Sequence, residues 1–195
     1  MKVISNSYIV LFLISMVIAN HPNEDITTIL HSIYNKVGID TNLLLIDRDL
    51  VIQETDLKFI GKDIYGRKQY LSADAASAWK DMEEAAKNSG INLLFVSGFR
   101  SYSYQASIIK RKIDRGLLIE DILKYNKLPG FSEHHSGRAI DITNSPNAGL
   151  SDDFVYTDEY RWLLDNCDRF GFRLTYKEGN NTDIMFEPWH WYYYK

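Results

Sequence analysis

Ile91-Asn92-Leu93-Leu94-Phe95-Val96-Ser97-Gly98-Phe99-Arg100 joins an apolar run to an abrupt polar end. Ile91 to Val96 has the length and hydropathy of a buried strand, and that strand delivers Ser97-Gly98-Phe99-Arg100 at its tip. Upstream, Ser72 is placed to cap a helix whose Ala75, Trp79, Met82 and Ala86 fall on one stripe and which stops at Gly90. Downstream, Ala106, Ile109 and Ile113 mark a second helix closing at Gly116, and Ala139 to Thr143 a second strand. Tyr160 to Phe170 reads as a helix before Gly171, and Met185 to Tyr193 as a last, aromatic strand. Nearer the start, Ile26 to Val37 reads as a short helix, and Leu43 to Ile46 with Leu50 to Gln53 as a hairpin turning at Asp47-Arg48-Asp49. Helices and short strands intermix without a regular strand-helix repeat, so the expected class is α+β rather than a doubly wound sheet.

Composition sets the outer limits. The chain has 195 residues, of which 45% are hydrophobic and only 4 are proline, enough to build one buried core and too ordered for a low-complexity or collagen-like chain. The formal net charge is -4 and no run of basic residues tracks a phosphate backbone, so nucleic acid is not an expected partner. Tyr8 to Ile18 is an apolar run too short for a comfortable membrane span. With Val17 and Ala19 as the small residues before a cleavage point, residues 1–19 read as a secretory signal peptide, or as an uncleaved N-terminal membrane anchor. Either reading puts a single domain, residues 20–195, outside the cytoplasmic membrane, in the periplasm or associated with the cell envelope. Cys167 is the only cysteine, which excludes an internal disulfide and a thiolate metal cluster. Its spacing with Tyr160, Leu163 and Leu164 places it in a helix core rather than at a nucleophilic site.

Chemistry enters with the histidines. His134, His135 and His190 lie in segments dense with polar and turn residues, whereas His21 and His31 do not. A catalytic zinc site uses three protein ligands, commonly imidazoles with a carboxylate, and keeps one position open. Glu133-His134-His135-Ser136-Gly137-Arg138-Ala139-Ile140-Asp141 offers such ligands on both sides of a glycine turn. In a strand from Arg138, Ile140 and Ile142 point into the core and Asp141 points the other way, as a surface-facing carboxylate in a cleft. Glu187-Pro188-Trp189-His190 supplies a further imidazole and a carboxylate, and Pro188 favours a bulge that turns positions 187 and 190 toward one point. A carboxylate beside such an ion can move a proton from water to a leaving amine, which is the chemistry of peptide hydrolysis.

Ser97-Gly98-Phe99-Arg100-Ser101 with Gln105, then Ser132-Glu133-His134 followed by Gly137, Ala139 and Asp141, then Glu187-Pro188-Trp189-His190, resemble the three ordered motifs of the zinc D,D- and L,D-carboxypeptidases of the VanY type. The resemblance spans Ser97 to His190, with weaker similarity from about Leu43. It implies a small α+β fold shared with the hedgehog signalling domain, with an antiparallel sheet and flanking helices. It also implies a Zn2+ held by His134, Asp141 and His190, Glu187 as general base, Arg100 steadying the oxyanion, and Gln105 and Ser132 holding the substrate's terminal residue and carboxylate. The implied partner is a peptidoglycan stem peptide, from which a terminal D-alanine would be removed. L,D-carboxypeptidase, endopeptidase and non-catalytic wall-binding readings stay open.

Two positions depart from that pattern: His135 stands where the family often carries glutamine, and Tyr192 where many members have arginine, bearing on one cleft wall. Trp189, Trp191 and Tyr193 are read either as packing or as support for the metal histidine. One rival motif competes: Ser77-Ala78-Trp79-Lys80 has the Ser-x-x-Lys form of serine penicillin-binding enzymes, though the companion Lys-Thr-Gly is missing and Trp79 needs that helix face for the core.

Overall fold

The computed structural model describes residues 22–45, 49–179 and 184–195. The proposed leader, residues 1–19, and the turn 46–48 lie outside the described residues. Helix α1 (Pro22–Val37) is followed by a 3-10 turn (Thr41–Leu45), the hairpin β1 (Leu57–Lys62) and β2 (Lys68–Ser72), helix α2 (Ala73–Asn88), strand β3 (Leu94–Ser97) and helix α3 (Tyr102–Ile113). Then come the short α4 (Ile119–Ile122), a 3-10 turn (Glu133–Ser136), β4 (Ala139–Thr143), α5 (Asp158–Asn166), β5 (Phe172–Leu174) and β6 (His190–Tyr193). The four later strands form one antiparallel sheet in the order β3-β4-β6-β5, so the architecture is the expected α+β with helices flanking an antiparallel sheet.

Alternation on the central strand β4 explains why the sheet holds together. Ile140 and Ile142 are fully buried in a cluster with Trp79, Met82, Phe172 and Trp191, each isoleucine contributing about 1.5–3 kcal/mol of transfer free energy. The α2 stripe of Ala75, Trp79, Met82 and Ala86 lies in the same cluster, and Trp79 meets Phe95 edge-on at 5.1 Å. A second cluster, Tyr34, Ile39, Ile109, Ile122, Leu128 and Phe131, joins α1 to α3. Cys167 is buried at the end of α5, where burial pushes its thiol up to about 11, consistent with a packing role. Its stripe neighbour Leu163 is buried, but Leu164 within α5 is exposed, so the apolar face is narrower than the spacing implies, and the helix gives way to a 3-10 turn at Cys167–Phe170.

Several local expectations need correction. The hairpin expected from Leu43 to Gln53 does not form in the described residues. Asp40 accepts a hydrogen bond from the Asn42 backbone and starts a 3-10 turn, and Leu43, Leu44 and Leu50 pack on the second cluster. Residues 51–55 run on as an arm whose backbone bonds Gly130, Tyr102 and His135 instead of a partner strand. The actual hairpin is β1–β2, a register that the sequence signalled weakly because Phe59 and Tyr65 are exposed. Ser72 does precede α2, but its hydroxyl makes no cap bond and its N–H donates to the Gly137 carbonyl. The last strand is shorter than expected, since residues 187–190 form a turn closed by His190 N–H to Glu187 C=O, 3.1 Å.

Glycines 98 and 137 permit the close approach of the hairpin to the ligand-bearing loops. A Cβ on Gly98 would lie 2.7 Å from the Tyr70 carbonyl oxygen, and one on Gly137, whose φ is +67°, would lie 2.8 Å from the Ser72 nitrogen. Gly98→Ala is therefore expected to cost about 1–3 kcal/mol as backbone is forced apart. Thermal denaturation should show a fall of about 2–4 °C for each kcal/mol lost.

Candidate metal centre and active-site cleft

Sheet register assembles the centre. Asp141 on β4 pairs directly with His190 on β6, and Ser97 at the end of β3 pairs with Asp141, so one row across three strands points into the cleft. His134 arrives from the 3-10 turn before β4, held by its carbonyl accepting from the Arg100 N–H and by its ring Nδ1 against the Gly98 carbonyl, 2.7 Å. That second bond assigns Nδ1 as the protonated nitrogen and leaves Nε2 facing Asp141 Oδ1 at 3.3 Å. His190 presents Nδ1 to the same Asp141 oxygen at 3.0 Å and Nε2 to the Glu133 carboxylate at 2.9 Å. Ligand atoms of His134, Asp141 and His190 all lie within 4.8 Å of one another, and all three residues are buried. Asp141 thus lines the cleft as expected but is not surface-facing: it is 1% exposed.

This donor set fits a zinc ion. Two donors each about 2.0–2.2 Å from one tetrahedral ion stand roughly 3.3 Å apart, close to the spacings of both imidazoles from Asp141. The electrostatics agree. Burial and the Arg100 charge hold His134 down, at about 4, so it is a neutral imidazole with a lone pair to give. Burial opposes the charge of Asp141, but the facing His134, Arg100 and His190 more than offset it and keep the carboxyl well below the usual range. For His190 burial favours the neutral ring, yet hydrogen bonds to Asp141 and Glu133 push it up to about 10. A divalent cation at Nδ1 would satisfy the same carboxylates in place of that proton, while Glu133 keeps the Nε2 hydrogen. Glu133→Gln is accordingly expected to weaken zinc affinity about 10–100-fold, measured by competition with a chromogenic chelator.

Around the centre opens a cleft of about 920 Å³ that holds every residue singled out from the sequence for the site. Glu187 is buried there, and burial, reinforced by the nearby Asp141 charge against the pull of His190, Arg100 and Lys112, raises its carboxyl to about 7. Arg100 donates from Nε to Ser97 Oγ at 2.9 Å and forms an ion pair through Nη2 with the outer oxygen of Asp141. Gln105 is 1% exposed; its Nε2 donates to the Lys127 carbonyl at 2.7 Å, while its Oε1 is buried without a protein partner. Gln105 therefore offers an acceptor, suited to a substrate N–H more than to a carboxylate. Ser132 is buried on the cleft wall, and its hydroxyl makes no cap bond to the turn it precedes.

His135 is fully buried. Its Nε2 accepts from the Gly130 N–H and its Nδ1 donates to the Arg100 carbonyl, so neither nitrogen is available to a metal. Tyr192 is not a cleft residue: it pairs with Ala139 and Arg173 on the sheet, with the Arg173 guanidinium 5.9 Å from its ring, so its departure from arginine leaves the cleft wall untouched. Trp191 and Tyr193 pack in the core, while Trp189 lines the cleft. Ser77 and Lys80 sit on the exposed face of α2, away from the cleft, which removes the serine-enzyme alternative. Two residues gain roles that the sequence did not suggest. Glu133 lay inside the matched motif but only the fold brings it to His190. Tyr176 stacks 4.8 Å from the His190 ring, its phenol held protonated by burial and by surrounding carboxylates. Nothing local to its segment marks it.

Residues 68–195 match the family model for VanY, D-alanyl-D-alanine carboxypeptidase. The chain belongs to the VanY family. Among curated VanY-like relatives, the putative carboxypeptidase YodJ of Bacillus subtilis (strain 168) is 36% identical over 148 residues, covering 73% of this chain and 52% of the relative. A D-alanyl-D-alanine carboxypeptidase of Enterococcus faecium is 26% identical over 165 residues, covering 76% and 50%. The chain spans about half the length of these relatives. Among solved structures, the LdcB LD-carboxypeptidase superposes with TM-score 0.59 at 34% identity, covering 74% of this chain and 67% of that one. A mutant of the vancomycin resistance D,D-pentapeptidase VanY in complex with Zn(II) gives 0.57 at 25% identity, covering 72% and 79%.

Proposed function

We propose that the chain is a zinc-dependent carboxypeptidase that removes the terminal D-alanine from peptidoglycan stem peptides, and that it does so in the periplasm or at the cell envelope. The observation that carries this reading is the convergence of His134, Asp141 and His190 with Glu187 and Arg100 in one cleft. The names of the relatives support carboxypeptidase action, and the Zn(II) complex of a VanY-family structure supports the metal. Export rests on the leader-like residues 1–19 alone.

His134, Asp141 and His190 would hold the zinc, which when bound would supply Lewis-acid activation of water and of the scissile carbonyl. Glu187, buried in the same cleft, takes a proton from the attacking water and returns it to the departing amine. Arg100 keeps a permanent charge close to the centre and stabilises negative charge that develops on the carbonyl oxygen. Gln105 accepts a hydrogen bond from the substrate backbone, and Ser132 orients the terminal residue.

The similarity to the LdcB LD-carboxypeptidase keeps the L,D reading as a specific alternative. Mass spectrometry of defined stem peptides incubated with the zinc-loaded protein separates the two. Loss of one residue from a pentapeptide alone is the expected D,D result, and loss of one residue from a tetrapeptide is the L,D result. Larger fragments would indicate an endopeptidase, and no cleavage of any stem, with a chelator-treated control behaving identically, would overturn enzymatic function in favour of a binding module.

A further inference from the structure

The charge of the cleft is opposite to that of the chain. The protein carries a formal net charge of -4, yet the cleft walls present Arg67, Arg100, Arg111, Lys112, Arg115 and Lys127. Among the described residues the acids that line the same cleft are Asp141, Asp152 and Glu187. Part of this cationic set is spent within the protein: Arg67 bonds Asp63 at 2.6 Å and Arg100 pairs with Asp141. Arg111, Lys112 and Arg115 concentrate on one flank, the C-terminal part of α3 and the turn after it.

Helical spacing explains the placement. Gln105, Ile108, Lys112 and Arg115 recur at intervals of three and four, and all face the cleft. Lys110 points elsewhere and is paired with Asp114 at 2.8 Å. Arg111 is tied to the cleft side by its Nη1 bond to Ser107 Oγ, 3.0 Å, and by its guanidinium lying 5.8 Å from the Tyr104 ring. Lys112, partly buried, feels the charges of Glu187 and Arg100, which fixes the metal end of the stripe. Arg111 precedes Lys112 by one residue, and Arg115 follows it by about one helical turn, roughly 5–6 Å along the flank. An extended peptide covers that distance in one or two residues.

We propose that this flank is a carboxylate-selective subsite: Arg111 and Arg115 read a second carboxylate of the substrate, one or two residues upstream of the bond that is cut. This rests on the carboxypeptidase reading for where the scissile bond lies, and it narrows the substrate class to acidic peptides over their amidated counterparts. A guanidinium pair recognises a carboxylate by charge-assisted hydrogen bonds, and like charges along one cleft wall add their fields.

The test is equilibrium binding by fluorescence anisotropy, using the full chain treated with a chelator so that no probe is cleaved. Three labelled stem-type pentapeptides serve as probes: one with a free internal carboxylate, one with that group as carboxamide, and one with the internal carboxylate free but the C-terminus amidated. The wild-type chain is expected to bind the first about tenfold more tightly than the second at low salt, with the preference shrinking at high salt. Arg111→Gln with Arg115→Gln should reduce the preference to within about twofold. Arg161→Gln, a charge change off the cleft, should leave it intact, and melting curves confirm that each variant folds. Equal wild-type affinity for the first two peptides, no measurable binding of any of the three, or a preference that survives the double substitution would overturn the subsite. So would a double variant that loses only discrimination against the C-terminal amide, because the cations would then read the chain end. Hydrolysis plays no part in this readout, so an inactive protein that still prefers the acid would sink the carboxypeptidase reading while leaving the subsite standing.

Discussion

Glu187→Gln is expected to lower kcat for stem-peptide hydrolysis by about 10²–10⁴-fold while leaving zinc stoichiometry unchanged. The amide keeps the shape of the side chain but can no longer take up a proton. Because Glu187 is not among the three residues placed to hold a metal, metal analysis of the variant separates loss of the proposed base from loss of the ion. The same substitution carries a stability signature of the opposite sign. The Glu187 carboxyl sits at about 7 in the folded chain against an ordinary 4.5, so the folded state holds that proton more tightly than the unfolded state does. Below about pH 4 both states are protonated and the residue costs nothing; between there and pH 7 the unfolded chain ionises first and stability drains away. Above pH 7 the cost is complete, on the order of 3 kcal/mol. Chelator-treated Glu187→Gln should therefore unfold at a higher denaturant concentration than chelator-treated wild type at pH 8, with the gap closing at pH 4. A gap that stayed constant with pH would falsify the assignment of a buried, strained carboxylate.

Asp141→Asn should have the second large effect, on metal retention and on folding together. In the chelated protein this carboxylate faces the Arg100 guanidinium on one oxygen and both imidazoles on the other, all within the buried row of the sheet. Replacing it by a neutral amide leaves the Arg100 and His190 cations without their partner, which costs about 3–5 kcal/mol when the site is dry. Inductively coupled plasma analysis after dialysis should find no stoichiometric zinc in the variant, and its melting temperature should fall whether or not zinc is offered. A variant that still bound one zinc per chain would rule out Asp141 as a ligand.

The parts legible in the sequence are those where one residue type has one physical use. The β4 strand was readable because Ile140 and Ile142 alternate with a carboxylate, and α2 because four apolar positions share one face and end at a glycine. The proposed ligands His134, Asp141 and His190, the proposed base Glu187 and Arg100 were named through the resemblance that the short polar motifs at the ends of such elements carry, and one cleft brings them together. Three kinds of feature escaped. The true hairpin, Leu57–Lys62 with Lys68–Ser72, carries exposed aromatics and a bulge at Phe59 to Gly61, so its apolar pattern is blurred. Leu43 to Gln53 looked strand-like because it is apolar, but tertiary contacts with α1 and α3 bury those leucines without a ladder. Glu133 and Tyr176 owe their positions to register across β4, β6 and the loop after β5, which no local pattern encodes.

Two adjacent histidines, alike on paper, have been sorted by the peptide groups around them. His134 spends one nitrogen on a carbonyl and keeps the other for the centre; His135 spends both, one hydrogen to Arg100 and one lone pair to Gly130. A carboxamide also presents one hydrogen and one lone pair, side by side on a short flat group. Glutamine can thus stitch the same two loops, and the exchange of imidazole for amide at this position is a swap of thread, with the seam left where it was.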